Sequence, residues 1–506
     1  MESIISSAKY LIILIGILLR WCTSLHPHSG QNKPPLFGDY EAQRHWMEIT
    51  TNLPVGEWYH NTTRNDLLYW GLDYPPLTAY HMWLCGVISS ILYPQSVELF
   101  SSRGYESYGH KIFMRSTVLI SDLLIFFPAM YYYFLVINSS KNNVRGHNQS
   151  LLGILIALTF PGLIIVDYGH FQYNCVSLGL MTAAVAAVFK GSYKFACVLF
   201  ALALNYKQME LYHALPFFFY LLGLIFKKYQ KTRSIFGVAL SFMTFAAMVL
   251  STFLIVWFPF IFDASQVSQI LHRVFPIYRG VFEDKVANFW CFFNVFYKLR
   301  AHCSNETIAQ ICLVTTAAAV LPSCFNLFIK PTLHKFKLSL IIVSLGFFLF
   351  SYHVHEKSIL LVSVPVILHF LKDPFPCFWF LTVSTLSLSH LVVKDNLIIA
   401  FVALTGLFIL ISLSSMRKFS SINLASKSSS KSSGFLRGSI KKTHLFFLSV
   451  VGYFYLFVGL VSIEPPQRYP DIFPLLLAVY SFVHFASFFV YFYSQQFSTA
   501  EAKKEQ

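Results

Sequence analysis

Charged residues are scarce in this chain of 506 residues, because Asp, Glu, Lys and Arg together make up only 12% of it. A soluble domain carries about twice that share, about 25%. Hydrophobic residues reach 56% and the mean hydropathy is +0.57. That is more apolar area than one water-facing surface can hide. The scarcity of charge therefore excludes a soluble enzyme and places most of the chain in lipid.

Paired cysteines and a leader cleavage site are also lacking. The nine cysteines occur singly without a C-x-x-C pair, which argues against a metal cluster or a disulfide framework. No A-x-A-like site follows the apolar stretch within residues 1–25, so we interpret this stretch as the first transmembrane helix. The net charge of +15 fits basic cytosolic loops of a membrane protein and does not indicate nucleic-acid binding.

Long apolar runs predict an all-α polytopic membrane protein with about 14 transmembrane helices, since each crossing needs about 20 apolar residues. No internal repeat is visible. The predicted helices lie near residues 8–25, 113–137, 150–166, 175–189, 195–205, 211–226, 236–258, 307–327, 338–352, 358–371, 375–392, 397–415, 445–462 and 472–493.

Basic loops near residues 227–233, 330–337 and 416–444, together with the tail 494–506, predict the cytosolic face. Both termini then face the cytosol, and residues 26–112 form the first luminal loop. The run 74–92 would upset this alternation if it crossed, so we expect a luminal re-entrant or interfacial helix that begins at the Pro75-Pro76 pair. The Ser/Lys-rich segment 416–444 is typical of a disordered linker.

Two further signals concern targeting and glycosylation. Lys503 and Lys504 stand four and three places from the C-terminus, as in the dilysine retrieval signal of endoplasmic-reticulum membrane proteins, although a solvated basic tail would look the same. Four N-x-S/T sequons occur. The map places Asn61 and Asn305 in the lumen, where they can be glycosylated, and Asn138 and Asn148 outside it.

The first luminal loop contains the sequence G-D-Y-E-A-Q-R-H-W from Gly38, just after the first predicted span. Asp39 is a carboxylate beside the membrane, followed by Glu41, Arg44 and His45. Such a carboxylate can act as a general base, and neighbouring cations would keep it ionised. The alternative is that Asp39 caps the helix that follows.

Three other luminal segments are rich in groups that bind sugars and phosphates. Residues 167–174 interleave hydrogen-bonding side chains with aromatic rings, and residues 205–210 open the next luminal turn. Residues 352–357 bring His353, His355 and Lys357 together where a membrane helix meets water, which favours an anion site such as a lipid phosphate. The H-x-H pair alone falls short of the three or four ligands that zinc requires.

With these motifs the chain resembles the dolichyl-phosphate-glucose-dependent α-1,3-glucosyltransferases of the N-glycan precursor pathway, and among them those that add the first glucose. The resemblance covers residues 8–395. It rests on G-D-Y-E-A-Q-R-H-W from Gly38, N-L-P from Asn52, Y-W-G-L-D-Y-P-P-L-T-A-Y from Tyr69, R-G-Y-E-S from Arg103, D-Y-G-H-F-Q-Y-N from Asp167, N-Y-K-Q-M-E-L-Y-H-A from Asn205, F-E-D-K-V-A-N from Phe282 and V-H-E-K-S-I-L from Val354. The sister family that adds the second glucose is the alternative, but its loop usually reads D-F-E-V-H-R-N-W.

The resemblance implies a single GT-C domain over residues 1–506 in the endoplasmic-reticulum membrane, with a luminal active site and no metal or other cofactor. Dolichyl phosphate glucose and a dolichyl-pyrophosphate-linked oligosaccharide would be its substrates, and no obligate protein partner is implied. A membrane transporter or a non-catalytic scaffold is a remote alternative, because the polar clusters lie at the luminal ends of the helices and not at mid-membrane.

The same resemblance implies roles for individual residues. Asp39 is then the catalytic base, and His355 and Lys357, with Arg44 and His353 as substitutes, are expected to bind the donor phosphate. The residues expected to bind sugar or other parts of the substrates are Glu41, His45, Asp73, Tyr74, Asp167, His170, Gln172, Lys207 and Glu210.

Overall fold

The computed structural model describes residues 2–138, 144–275, 285–424 and 432–498, and its secondary structure is helical almost throughout. In the described ranges, β structure is confined to one bridge between Thr62 and Asn65. The α-helices are α1 (Glu2–Ser24), α2 (Gly38–Asn52), α3 (Pro76–Leu92), α4 (Tyr108–Ser121), α5 (Phe127–Val136), α6 (Val144–Leu158), α7 (Pro161–Ile164), α8 (Asn174–Phe189), α9 (Tyr193–Tyr206), α10 (Leu211–Thr232), α11 (Ile235–Trp257), α12 (Ala264–Val274), α13 (Phe289–Phe296), α14 (Asn305–Ile329), α15 (Leu333–Phe350), α16 (Ile359–His369), α17 (Pro374–Leu386), α18 (Ser389–Lys394), α19 (Ile398–Leu424), α20 (Ser432–Ser462) and α21 (Ile472–Phe497).

Short helices of other types join several of these elements. Two are π-helical: Asp122–Phe126 connects α4 to α5, and Ile165–Phe171 extends α7. The 3₁₀ turns are Val55–Glu57, Pro94–Ser96, Gln208–Glu210, Leu299–Ala301 and Glu356–Ser358. π-Helical turns within α-helices are rare and are frequently found at functional sites.

Eleven stretches of the described residues are long and apolar enough to cross a membrane. They are Ser7–Ser24, Tyr108–Val136, Gly146–Phe171, Gln208–Thr232, Ile235–Trp257, Asn305–Ile329, Leu333–Phe350, Pro374–Lys394, Ile398–Met416, Thr443–Ser462 and Ile472–Phe497. The chain is therefore an all-helical, multi-pass membrane protein.

The expected number of about 14 spans is corrected by this result. All fourteen predicted runs are helical, but α8, α9 and α16 have only 16, 14 and 11 residues. Every residue of α16 is buried, as are most residues of α8. Hydropathy recognises such helices as apolar, but a helix enclosed by protein need not match the thickness of the bilayer.

Two loop predictions can be compared with the structure. The run 74–92 forms α3, which begins at Pro76, where the missing N–H of proline costs nothing. In the predicted disordered linker 416–444, α19 continues to Leu424 and α20 starts at Ser432. Residues 425–431, the Lys503-Lys504 tail and residues 282–284 of the F-E-D-K motif lie outside the described residues.

Candidate active site

Asp39 lies in the first turn of α2 and is held there by a close approach of the chain at Ser29. Its backbone N–H donates to Ser29 Oγ over 3.2 Å. A Cβ on Gly38 would come within 2.6 Å of that Oγ, and Gly38 has a φ of +72°, so glycine is required there. No side chain caps α2. Asp39 is therefore not a capping residue, and its carboxylate is available for other contacts.

Three side-chain nitrogens converge on a single oxygen of Asp39. Oδ2 lies 2.6 Å from Nε2 of Gln172, 2.8 Å from Nζ of Lys357 and 3.0 Å from Nε2 of His170. The other oxygen, Oδ1, has no hydrogen bond to any described residue, and the side chain is 24% exposed. One oxygen thus fixes the orientation of the carboxylate, and the other remains open to a substrate hydroxyl.

These contacts set the charge of the carboxylate. Burial disfavours ionisation, but the charges of Lys357 and His170 and their hydrogen bonds outweigh it and hold the pKa of Asp39 well below its usual range. The Lys357 ammonium is stabilised in turn: burial opposes its charge, but Asp39 and Glu356 raise its pKa above the usual value. The cations predicted to keep Asp39 ionised were Arg44 and His45. In the structure this role belongs to Lys357 and His170, from distant parts of the sequence.

His170 reaches Asp39 from the π-helical segment Ile165–Phe171. Its Nδ1 lies 2.5 Å from Oδ2 of Asp395, and its carbonyl accepts from the Ser29 N–H over 3.1 Å. Arg115 donates to the carbonyl of Gly169 over 2.8 Å. Both the ring and the backbone of His170 are therefore fixed beside the carboxylate.

A second polar network continues from Gln172 away from Asp39. Nζ of Lys207 donates to Oδ1 of Asn174 over 2.6 Å and to Oε1 of Gln172 over 3.3 Å. Asp167 accepts from the side chain of Asn174 over 2.7 Å. Burial lowers the pKa of Lys207, although the charge of Asp167 opposes this. The sequence-predicted residues Asp167, His170, Gln172 and Lys207 thus form one connected system with Asp39 and Lys357.

A narrow cavity adjoins this network, with about 10 Å³ of space for the centre of a water-sized sphere, which is room for about one water molecule. Its walls carry amide, ammonium and hydroxyl groups beside aromatic rings, the combination that binds a sugar ring. The lining residues are Gln43, Tyr74, Thr78, Gln172, Tyr173, Tyr206 and Lys207. The ring of Tyr74 lies 5.1 Å from Nζ of Lys207. Tyr74, predicted from its motif, therefore belongs to the same site.

Arg44, Glu41 and His45 lie in a different, buried cluster. Arg44 is completely buried and contacts the carboxylates of Glu41 and Glu48 over 2.6 Å and 2.7 Å. His45 contacts Glu48 over 3.0 Å, and Tyr69 donates to Glu41. Two carboxylates already pair with Arg44, and its guanidinium is fully buried, so the structure does not present it to a phosphate. The cluster holds α2 against Ser96 and Ser102, which accept hydrogen bonds from Arg44, and the side chains of Glu41 and His45 are buried.

The remaining predicted residues divide by position. His355 is exposed two residues before Lys357, and His353 is partly buried against Tyr352. Asp73 is partly buried before Tyr74. Glu210 is fully buried and pairs with His213 over 2.7 Å, so it is removed from the substrate side. Within the described ranges no three His, Cys, Asp or Glu residues could hold a metal ion together.

Asp395 is the main site residue that the sequence reasoning missed. It follows α18, is 3% exposed and contacts His170. A signal for it existed: the runs 375–392 and 397–415 leave a four-residue turn on the same predicted face as Lys357. Asn174 was noted within its motif but was not singled out as a site residue.

Comparison with known proteins gives consistent matches. The model described as "ALG6, ALG8 glycosyltransferase family" matches residues 12–491. The chain is 44% identical over 497 residues to the dolichyl pyrophosphate Man9GlcNAc2 alpha-1,3-glucosyltransferase of Gallus gallus, with 96% of each chain covered. It is 45% identical over 491 residues to the protein of that name from Mus musculus, with 95% of each covered. A probable enzyme of this kind from Drosophila melanogaster is 44% identical over 485 residues, with 96% of this chain and 97% of the relative covered.

Proposed function

The chain belongs to the ALG6, ALG8 glycosyltransferase family, and from this premise we propose that it adds the first glucose, in α-1,3 linkage, to the Man9GlcNAc2 oligosaccharide on dolichyl pyrophosphate. The relatives that match over nearly their whole length are named for this acceptor. The observation that carries the catalytic part of the proposal is the open carboxylate of Asp39 among cations at the predicted luminal ends of the helices.

We further propose that dolichyl phosphate β-glucose is the donor and that the fold is of the GT-C type in the endoplasmic-reticulum membrane, with both termini cytosolic. Two lipid-linked substrates need a site where apolar helices meet a wet polar cavity. Lys357 lies just before the apolar helix α16, and Asp39 contacts it from the polar helix α2, which follows the apolar helix α1.

Inversion at the sugar carbon requires one in-line displacement through an oxocarbenium-like transition state. In the proposed step, Oδ1 of Asp39 removes the proton of the acceptor hydroxyl as that oxygen attacks C1 of glucose. The C1–O bond to the phosphate breaks at the same time, and the electron pair leaves with the phosphate oxygen. The hydrogen bonds at Oδ2 hold the carboxylate in position and ionised before the reaction.

The leaving phosphate gains negative charge in this step and needs cations more than a proton donor. Lys357 is the cation nearest to the base, with Nζ 2.8 Å from Oδ2. The exposed His355 lies two residues away and can approach the lipid phosphate from the water side. We therefore keep Lys357 and His355 as phosphate ligands, with His353 beside them.

We propose that hydroxyl groups of the sugars contact the polar side chains that line the narrow cavity beside Asp39. Gln172 links the two regions, because its amide nitrogen binds Asp39 and its oxygen accepts from Lys207. A hydroxyl of glucose or mannose could donate to Oε1 of Gln172 in place of Lys207. Gln172 would then position both the sugar and the base Asp39. Asn174 holds Lys207 in place through a hydrogen bond and is itself held by a hydrogen bond to Asp167.

Asp39→Asn tests the proposal, because it keeps the shape of the side chain and removes its basicity. Loss of a general base typically costs about 10² to 10⁴ in rate, so we expect transfer from dolichyl phosphate glucose to Man9GlcNAc2 on a dolichol carrier to fall by that factor. Asp66→Asn, which alters an exposed carboxylate in the same loop, is the matched control.

The assay uses purified enzyme at equal folded concentrations and includes a monoglucosylated acceptor. Retention of more than about a third of wild-type turnover by Asp39→Asn would refute the role of Asp39. A wild-type enzyme that acted only on the monoglucosylated acceptor would instead favour addition of the second glucose.

A further inference from the structure

We infer that Asp395 is a positioning residue for the glucosyl transfer, acting through His170 on Asp39; this rests on the function proposed above. The three side chains form a chain of contacts across three elements. Oδ2 of Asp395 lies 2.5 Å from Nδ1 of His170, and Nε2 of the same ring lies 3.0 Å from Oδ2 of Asp39. Asp395 has no contact of its own with Asp39.

The burial of Asp395 makes His170 its charge partner. The residue is 3% exposed, and its Oδ1 has no hydrogen-bond partner among the described residues. A buried carboxylate is stable only when it is paired. His170 makes a side-chain hydrogen bond to it, and the charge of the buried Arg115 also acts on it. Asp395 and Asp39 thus lie at the two nitrogens of one imidazole, an arrangement that favours a protonated ring.

This contact fixes which way the ring donates. A hydrogen on Nδ1 is held by Asp395, and the protonated ring then also donates from Nε2 to Asp39. Lys357 lies 3.1 Å from the same Nε2 and competes for a neutral ring, whose bare Nε2 would accept from the ammonium. Without Asp395, the ring loses the carboxylate that favours its charged form, and a neutral ring can turn a bare Nε2 to the Lys357 ammonium in place of an N–H to Asp39.

Close packing limits other positions for the ring. A Cβ on Gly169 would lie 2.7 Å from the side chain of Leu397, so the turn that carries Asp395 lies directly against the backbone beside His170. Asn396 in that turn has a φ of 57°, a conformation that asparagine tolerates better than most residues. The packing of this turn against Gly169 thus fixes the position of Asp395 relative to the imidazole of His170.

Other charged and titratable groups surround the three residues and act on the ring in opposite directions. The cations disfavour its protonation and the carboxylates favour it. Lys357 and His28 act on the ring directly. Arg115 acts on Asp395, Lys207 on Asp39 and Glu356 on Lys357. Asp167 lies beside Lys207, and His390 lies near Glu356 and Lys394.

The test combines Asp395→Asn with His170→Gln. Because a misplacement of about 1 Å can cost about 10²-fold in rate, we expect Asp395→Asn to lower kcat by about tenfold to hundredfold. The acidic limb of the pH profile of kcat/KM should move to higher pH, since a neutral ring stabilises the ionised form of Asp39 less. Asp373→Asn, whose carboxylate contacts Tyr491 at the opposite ends of the helices, should leave kcat and the pH profile unchanged.

The double variant shows whether Asp395 acts through the ring. In a His170→Gln background, Asp395→Asn should cause no further loss of kcat. An equal further loss, or an unchanged acidic limb in Asp395→Asn, would overturn the inference. Asp395→Ser is made as a second neutral variant, and failure of both neutral variants to fold would also count against a positioning role. The proposed function is tested separately: it holds if the wild-type enzyme transfers glucose and the Asp39→Asn enzyme does not. Given that result, the Asp395 variants test the inference alone.

Discussion

Replacement of Lys357 by methionine separates two effects that one ammonium combines. Lys357 lies 2.8 Å from Asp39 and keeps it ionised. In the proposed mechanism, Lys357 also stabilises the negative charge that develops on the leaving phosphate. The first effect makes Asp39 a weaker base, whereas the second accelerates the reaction. Methionine keeps most of the length and apolar volume of the stem, so Lys357→Met removes the charge with little change in packing.

The two effects have different magnitudes and different dependence on pH. Loss of a charged donor that acts on the transition state costs about 10² to 10³ in kcat, and we expect a fall of this size at every pH on the plateau. Asp39 has a depressed pKa, so its carboxylate stays ionised below the usual carboxyl range. The stability that this contributes is complete above the usual carboxyl pKa and is lost progressively as the pH falls from there through the depressed pKa. Without Lys357 that pKa rises, so the acidic limb of kcat/KM should move to higher pH.

The assay measures kcat and KM for donor and acceptor separately across the pH range. The control is Lys330→Met, which removes the charge of an exposed lysine at the C-terminal end of α14. We expect a lower kcat, weaker use of the donor and an unchanged KM for the acceptor. A full plateau rate with only a shifted acidic limb would show that Lys357 pairs with Asp39 and does not act on the phosphate. An effect on the acceptor alone, or on protein yield alone, would refute the reasoning as well.

Two further predictions concern stability and topology. Arg44→Met leaves Glu41 and Glu48 without their cation, so we expect a loss of about 3–5 kcal/mol in stability, measured by thermal unfolding. Arg64→Met, at an exposed pair with Glu57, is the control, and an Arg44 variant as stable as this control would contradict the assignment. Protease added to sealed microsomes should remove a C-terminal tag, and the Asn61 sequon should carry an endoglycosidase-sensitive glycan. A tag protected until detergent is added would contradict the topology.

Hydropathy was sufficient to predict the class of the fold. Each of the fourteen apolar runs forms a helix, because a continuous apolar segment in lipid must satisfy its own backbone hydrogen bonds. Hydropathy could not distinguish a span from the enclosed α16, since both are rich in apolar residues. Nor could it detect the π-helical segments, which depend on packing between helices and not on composition.

The site was predictable as a set of residues but not as an arrangement. Asp39, His170, Gln172, Lys207 and Lys357 were all expected, and the structure places them in one network. Their partners were not expected, because ion pairs between residues more than a hundred positions apart leave no local pattern.

Local spacing also misled in one case. Arg44 stands five positions after Asp39 in the sequence, yet its helix turns it towards Glu41 and Glu48. On a helix, side chains three or four positions apart lie on the same face. Side chains five positions apart, such as those of Asp39 and Arg44, lie on different faces. The roles proposed for the site residues remain predictions for the experiments above.

The number of residues in the π-helical segment Ile165–Phe171 determines the direction in which the side chain of His170 points. An α-helix turns about 100° per residue, and a π-turn accommodates more residues in each turn than an α-turn does. Deletion of one residue upstream of His170, with the π geometry of this segment kept, would rotate the imidazole by about that angle, away from Asp39 and Asp395. A deletion could therefore silence the site while every side chain named in it remained in the sequence, so a truncated or alternatively spliced variant should first be checked for the length of this segment.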